Sequence, residues 1–187
     1  MTQENSLCSQ FLIAMPAVVQ GEFDHSVTFL CEHNESGAMG LVINRPTTLR
    51  LADMFQHMGL ETSNFPKPDY PVYWGGPVQT ERGFVLHSPN SDWDSTLKVN
   101  QDIALTTSKD ILEAISEGKG PANYLVTLGY AGWSEGQLED EILKNSWLTT
   151  PSDKDILFAT PAPARWTAAA QLLGVDPSLL SGEAGHA

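Results

Sequence analysis

The run Gly132-Trp133-Ser134-Glu135-Gly136 matches the G-x-S-x-G pattern of a nucleophile elbow, and it follows an apolar run of strand type and precedes a helix-like segment. Acyl transfer from such a serine needs an acid and then a histidine further along the chain. The one histidine after Ser134 is His186, which sits in a Gly-rich tail at 181–187. The same residues spell a capping box, Ser134-x-x-Gln137, in which a hydroxyl accepts from a first-turn N–H and the amide reaches back. The capping role is therefore the better reading of Ser134, and no catalytic residue is assigned.

A second chemistry attaches to the same place. The segment Gly129-Tyr130-Ala131-Gly132-Trp133 reads as a glycine-flexible turn feeding a helix N-terminus, where free N–H groups suit a phosphate or carboxylate. Arg45 and Arg82 each stand at the end or start of a strand, so Arg45, Arg82, Gly129, Gly132 and Ser134 form a candidate anion site if the fold gathers them. Tyr73, Trp74, Tyr130 and Trp133 could wall such a cleft. Against this stand the lack of a P-loop lysine, the carboxylate of Glu135 in the first helical turn, and the 23 acidic residues available to pair with either arginine. The aromatics serve equally well as packing residues at strand ends.

Metal chemistry has little support. Glu32, His33, Asn34 and Glu35 combine carboxylate and imidazole, but neighbours on a strand point to opposite faces. His25, His33, His57, His87 and His186 show no ligand-type spacing, and there is no C-x-x-C. His33 is expected to anchor a turn by hydrogen bonding, and no cofactor is expected. Cys8 and Cys31 make no disulfide framework; Cys31 shares strand parity with Val27 and Phe29 and is expected to be buried, leaving Cys8 as the readier oxidation target.

The positioning elements follow from pattern. Val27–His33 and Ala38–Asn44 are strands joined through the hairpin residues Asn34-Glu35-Ser36-Gly37, with Arg45-Pro46 stopping the second. Leu51, Met54, Phe55 and Met58 fall at helical spacing within Leu49–Met58, closed by Gly59. Strands are expected at Val72–Trp74, Phe84–His87, Thr96–Val99, Ile103–Thr106, Tyr124–Gly129, Trp147–Thr149 and Ile156–Phe158. A Gly75-Gly76-Pro77 turn and a polar tip at Gln79–Arg82 separate the first two. Helices are expected at Lys109–Glu117 behind Ser108, at Glu135–Lys144, and at Pro163–Leu173 before Gly174. Hairpins with irregularly interspersed helices imply an α+β class with a largely antiparallel, strongly curved sheet.

Charge excludes some functions. The 187 residues carry 10 Lys and Arg against 23 Asp and Glu, a net charge of −13, and no cation precedes Arg45. Such a field repels phosphate backbones, so direct nucleic-acid binding is not expected. The apolar run Phe11–Met15 has no positive residue before it, and no uninterrupted apolar stretch reaches the roughly 20 residues of a membrane span. A single cytoplasmic domain over 1–187 is expected, with arms at 1–10 and 181–187.

The hairpin run Glu32–Pro46, with Gly75-Gly76-Pro77-Val78 and Gly129-Tyr130-Ala131-Gly132-Trp133, resembles the AlgH/YqgE family of small bacterial proteins, over about Phe11 to Gly185. That resemblance implies a bifurcated sheet curled into a partial barrel with helices packed around it. It names no reaction. The function expected is non-catalytic binding or regulation through a protein partner or a small anionic ligand, with indirect transcriptional control as one form of it; the alternative is an enzyme or sensor for a small phosphate or carboxylate metabolite.

Overall fold

The computed structural model describes residues 6–16, 18–19, 21–89 and 93–174. Ten strands form one sheet: β1 (Gln10–Ala14), β2 (Val27–Asn34), β3 (Gly37–Val42), β4 (Pro46–Arg50), β5 (Pro71–Trp74), β6 (Val78–His87), β7 (Thr96–Lys98), β8 (Ala104–Thr106), β9 (Tyr124–Ser134) and β10 (Trp147–Pro151). Among the described residues five α-helices pack on it: α1 (Leu51–His57), α2 (Lys109–Ser116), α3 (Gln137–Leu143), α4 (Lys154–Phe158) and α5 (Arg165–Leu172). The fold is α+β, as the hairpin pattern implies.

The main strand order is β10-β1-β2-β3-β9-β6-β8-β7, and every pairing is antiparallel except β5 against β9. The sheet forks at β9. Thr127 pairs with Tyr73 of β5 on one side and Phe84 of β6 on the other, whereas Ala131–Ser134 pair with Gly40–Gly37 of β3. The two branches part at Gly75, whose carbonyl accepts from Val42 N at 2.9 Å and whose N–H donates to Leu128 O at 2.8 Å. Because β5 and β6 flank β9, the short link Gly75-Gly76-Pro77 must pass across β9. Backbones meet there: a Cβ on Gly76 would lie 2.1 Å from Tyr130 C, and one on Gly129 2.3 Å from Gly76 O.

Both faces of this sheet are covered, which is why Phe11–Ala14 is apolar at every position. The concave side carries Phe11, Ile13, Phe29, Leu41, Phe84 and Leu105, and Leu157, Trp166 and Ala169 of α4 and α5 fill part of it. Outside, α3 brings Leu138 against Leu12, Leu30, Trp133 and Trp147, and α1 and α2 bring Phe55, Ile111 and Ile115 against Val72, Val85 and Val126. The curl nearly closes. Asn100 Nδ2, from the β7–β8 turn at one end of the sheet, donates to Ser9 Oγ at 2.6 Å and Ser152 Oγ at 3.3 Å at the other.

Several expectations are corrected. Ile156–Phe158 is not a strand but the body of α4, because Asp153 accepts from Asp155 N at 2.8 Å and caps a helix. β3 ends at Val42, short of the expected Asn44, and Pro46 opens β4, an irregular partner of β5 that leaves a proline at its first position. Phe11–Ala14 is the strand β1, and the described part of the 1–10 arm runs along β2, with Ser9 N donating to Leu30 O at 2.8 Å. Ser108 precedes α2, but its hydroxyl donates to Asp110 Oδ1 and does not cap. The tail at 181–187 lies outside the described residues.

A buried polar chain joins β6, β7 and β8. Thr106 Oγ1 lies 2.7 Å from His87 Nε2 and 2.8 Å from Thr96 Oγ1, and His87 Nδ1 lies 2.8 Å from Ser88 O. Burial pushes the His87 pKa down, partly opposed by the Ser88 carbonyl, so the folded imidazole is neutral. Protonation is then easier in the unfolded chain. The stability contributed by neutral His87 is present in full above the ordinary histidine value of about 6.5 and lost as pH falls from there through the depressed folded value. Urea midpoints between pH 7.5 and 5 should fall more steeply for the wild type than for His87→Gln; parallel profiles would contradict the assignment.

Candidate functional site

The concave face is filled at one end by α4 and α5 and left open at the other as a cavity of about 870 Å³. Met39, Phe84, Leu105 and Tyr130 form its apolar floor, and their alternation along β3, β6, β8 and β9 points them inward. Phe84 and Tyr130 meet edge to face at 5.7 Å. Glu32, Asn34 and Ser36 line one rim; Arg82, Asp94 and Thr107 line the rest.

The expected anion residues separate in the fold. Arg82 and Gly132 both line this cleft, whereas Arg45, Gly129 and Ser134 are not among its lining residues. Arg82 comes from an insertion in β6: the register jumps between Val78 and Gly83, and Gln79 adopts a positive φ of 47°. Its guanidinium sits 5.3 Å from the centre of the Phe84 ring and donates to Gln79 Oε1 at 3.3 Å. Among the described residues it meets no carboxylate within ion-pair distance. Arg45 lies at the β3–β4 junction and donates to Asp24 O.

The glycine-flexible turn is not a turn. Tyr124–Ser134 is continuous strand, because Ala131–Ser134 pair with β3 and Gly129 serves the close crossing by Gly76. Helix α3 begins only at Gln137, behind Gly136 in the left-handed conformation at φ 76°. Half of the capping box survives: Ser134 N donates to Gln137 Oε1 at 2.9 Å, while the Ser134 hydroxyl donates to the same oxygen at 3.2 Å and accepts no first-turn N–H. Exposed and without a cap bond, Ser134→Ala should alter stability by less than about 0.5 kcal/mol in urea unfolding. The folded protein should also resist a fluorophosphonate probe.

The back wall is held by Glu141 of α3. Its Oε1 accepts from Trp133 Nε1 at 3.1 Å and Trp147 Nε1 at 2.9 Å, and its Oε2 accepts from Gln137 Nε2 at 2.9 Å. Glu141→Ala strands two indole N–H groups and should cost about 2–3 kcal/mol, against less than about 1 kcal/mol for Glu141→Gln, which keeps an acceptor. Tryptophan fluorescence in urea reads both; equal losses would show the acceptor to be irrelevant.

His33 is a hydrogen-bonding anchor, but not of the turn: Nδ1 accepts from Leu7 N at 2.8 Å and Nε2 lies 3.2 Å from Glu139 Oε1, so it ties β2 to the N-terminal segment and to α3. Cys31 is buried, and Cys8 Sγ donates to Cys31 O at 3.2 Å. Desolvation, and then the charge of Glu32, push the Cys8 thiol up, which disfavours the reactive thiolate. Among the described residues no three His, Cys, Asp or Glu side chains are grouped as a metal site would need, and no helix is long and apolar enough to cross a membrane.

Residues 11–178 match the family model described as AlgH-like. A UPF0301 protein of Thioalkalivibrio sulfidiphilus is 57% identical over 187 residues, covering 100% of both chains. A UPF0301 protein of Ralstonia nicotianae is 54% identical over 182 residues, 97% of this chain and 96% of its own. The solution structure of the AlgH protein from Pseudomonas aeruginosa superposes with a TM-score of 0.81 at 48% identity, covering 100% of this chain and 99% of that one. A crystal structure from Corynebacterium diphtheriae, at 20% identity and a TM-score of 0.69 over 87% of this chain and 85% of that one, shares the fold.

Proposed function

The chain belongs to the AlgH-like family, and on that premise we propose that it is a cytoplasmic, non-catalytic binding protein whose ligand surface is the open end of the half-barrel. The observation that supports this is the cleft itself: an apolar floor of Met39, Phe84, Leu105 and Tyr130 inside a polar rim. Among the described lining residues there is no histidine or cysteine to stand beside the serine and threonine hydroxyls. Any influence on transcription runs through a protein contact, since a net charge of −13 opposes duplex DNA.

Gly132 supplies the test. It is exposed in the cleft, and a Cβ there would meet only the Tyr130 ring, at 3.4 Å. Gly132→Leu should fold and obstruct the cleft. Compounds from a metabolite and peptide set that raise the Tm of the wild type should lose that effect in the variant. Equal shifts in both proteins would place binding elsewhere, and saturable micromolar binding of duplex DNA at low salt would overturn the reading.

One observation favours a second reading, an enzyme or sensor for a small anion: Arg82 reaches the cleft without a carboxylate partner among the described residues. On that reading inorganic phosphate or citrate raises the Tm of the wild type and not of Arg82→Gln.

A further inference from the structure

We infer that the occupant of this cleft is an extended, basic segment of a partner protein, added as a strand along the open edge of β7. The inference rests on the cleft being the binding surface and goes further by fixing the chemistry of what enters it. Charge is the first argument. Glu32 and Asp94 reach the cleft from opposite walls, and neither forms an ion pair among the described residues. Among the described lining residues Arg82 is the one cation, and it already lies on Phe84 and bonds Gln79. The molecule around them is strongly acidic, so the far field and the local groups draw the same sign of partner.

Backbone geometry is the second argument. β7 ends the sheet order and pairs only with β8, so among the described residues no strand lies against its other edge. β7 is only three residues long and ends in the exposed Lys98, so a partner strand gains few main-chain hydrogen bonds there and must take its specificity from the cleft side chains. Leu97 of β7 is 41% exposed and stands directly opposite Leu105 in the ladder, and both line the cleft. A strand laid beside β7 therefore extends the concave apolar face. Only alternate side chains of that strand enter the cleft, so its inward positions must carry both kinds of residue, apolar ones over Leu97 and the floor and basic ones toward Asp94 and Glu32.

The test uses the full-length protein and seven-residue acetylated, amidated probes. One carries Lys, Phe, Val and Lys at its alternate positions 1, 3, 5 and 7 with Thr between them, so that one face holds both kinds of residue, and its charge-inverted twin has Glu in place of Lys; inorganic phosphate is the third probe. Nitrogen-15 correlation spectra should show the Lys peptide shifting amides of Thr96–Lys98 together with those of Met39 and Gly132, with an affinity that falls as salt rises. The Glu peptide should leave them unmoved. The double variant Glu32→Lys with Asp94→Lys should weaken the Lys peptide at least about tenfold, and Gly132→Leu should weaken it without changing its salt dependence. Binding of the Glu peptide or phosphate in the cleft, sensitive to Gly132→Leu, overturns the basic-segment proposal and leaves the cleft as a binding surface. Silence of the cleft amides with all three probes overturns the proposal and removes support from the cleft reading as well.

Discussion

Gly129→Ala should destabilise the protein by about 4 kcal/mol, a loss that adds a left-handed backbone penalty to a backbone collision. Gly129 has φ 80°, and its added Cβ would sit 2.3 Å from Gly76 O and 3.2 Å from Val78 O. Neither oxygen belongs to a side chain that can rotate away. Gly136 isolates the two effects, because it has φ 76° and nothing within 4 Å of a Cβ. Gly136→Ala should cost only about 1–2 kcal/mol, the conformational part alone. Urea denaturation of the two variants gives the close approach by difference. Equal losses would mean that the strand crossing tolerates a methyl group and that Gly76 and Gly129 are not required by contact.

Arg165→Ala should cost about 3–4 kcal/mol, because it empties a buried site and leaves two backbone carbonyls without their donor. Arg165 is 3% exposed at the start of α5, donates through Nε to Thr160 O at 2.9 Å and through a terminal nitrogen to Ile43 O, and lies 5.2 Å from the Tyr73 ring centre. It ties α5 to the end of β3 by filling two carbonyls and a ring face at once. Lysine keeps the charge but has no planar fork to span those partners, so Arg165→Lys should lose nearly as much. Arg165→Met leaves the carbonyls unpaired yet relieves the desolvated charge and keeps the volume, and should lose about half as much. Chemical denaturation should therefore rank alanine and lysine together and methionine above them. A wild-type-like lysine variant would show that charge alone matters.

What the chain reveals locally can be separated from what it hides. The β2–β3 hairpin pairs Asn34 with Gly37, as its turn residues require, and α1 buries Leu51, Met54 and Phe55 at the spacing that marks a helix. Local chemistry misleads where the cause is distant. The glycines at Gly129 and Gly132 look like turn residues, but the first admits a crossing link from fifty-odd residues earlier and the second leaves a cleft wall bare. The Ile156-Leu157-Phe158 triplet looks like a strand because three apolar residues fit either period, and the Asp153 cap was the signal that separates them. The cleft was least legible. Its floor comes from β3, β6, β8 and β9, and only folding brings Met39, Phe84, Leu105 and Tyr130 to one face. Arg82 stands out as a scarce cation and Glu32 as the neighbour of a histidine, whereas nothing local sets Asp94 apart from the other acids.

The strand crossing also sets a timetable for synthesis. β5 and β6 leave the ribosome consecutively, yet they cannot zip together, because the place between them belongs to β9, which emerges after α2. The nascent chain must hold two strand edges apart, or separate them again, until Tyr124–Ser134 is available to enter. β10 follows later still, and it closes on β1, the first strand made. Pairings so distant in sequence make the loop-closure cost fall before the reward, which slows folding and leaves unpaired edges exposed meanwhile. A release of incomplete chains before Ser134 should therefore yield aggregating fragments with no native sheet, and the protein becomes foldable only when its last third has been translated.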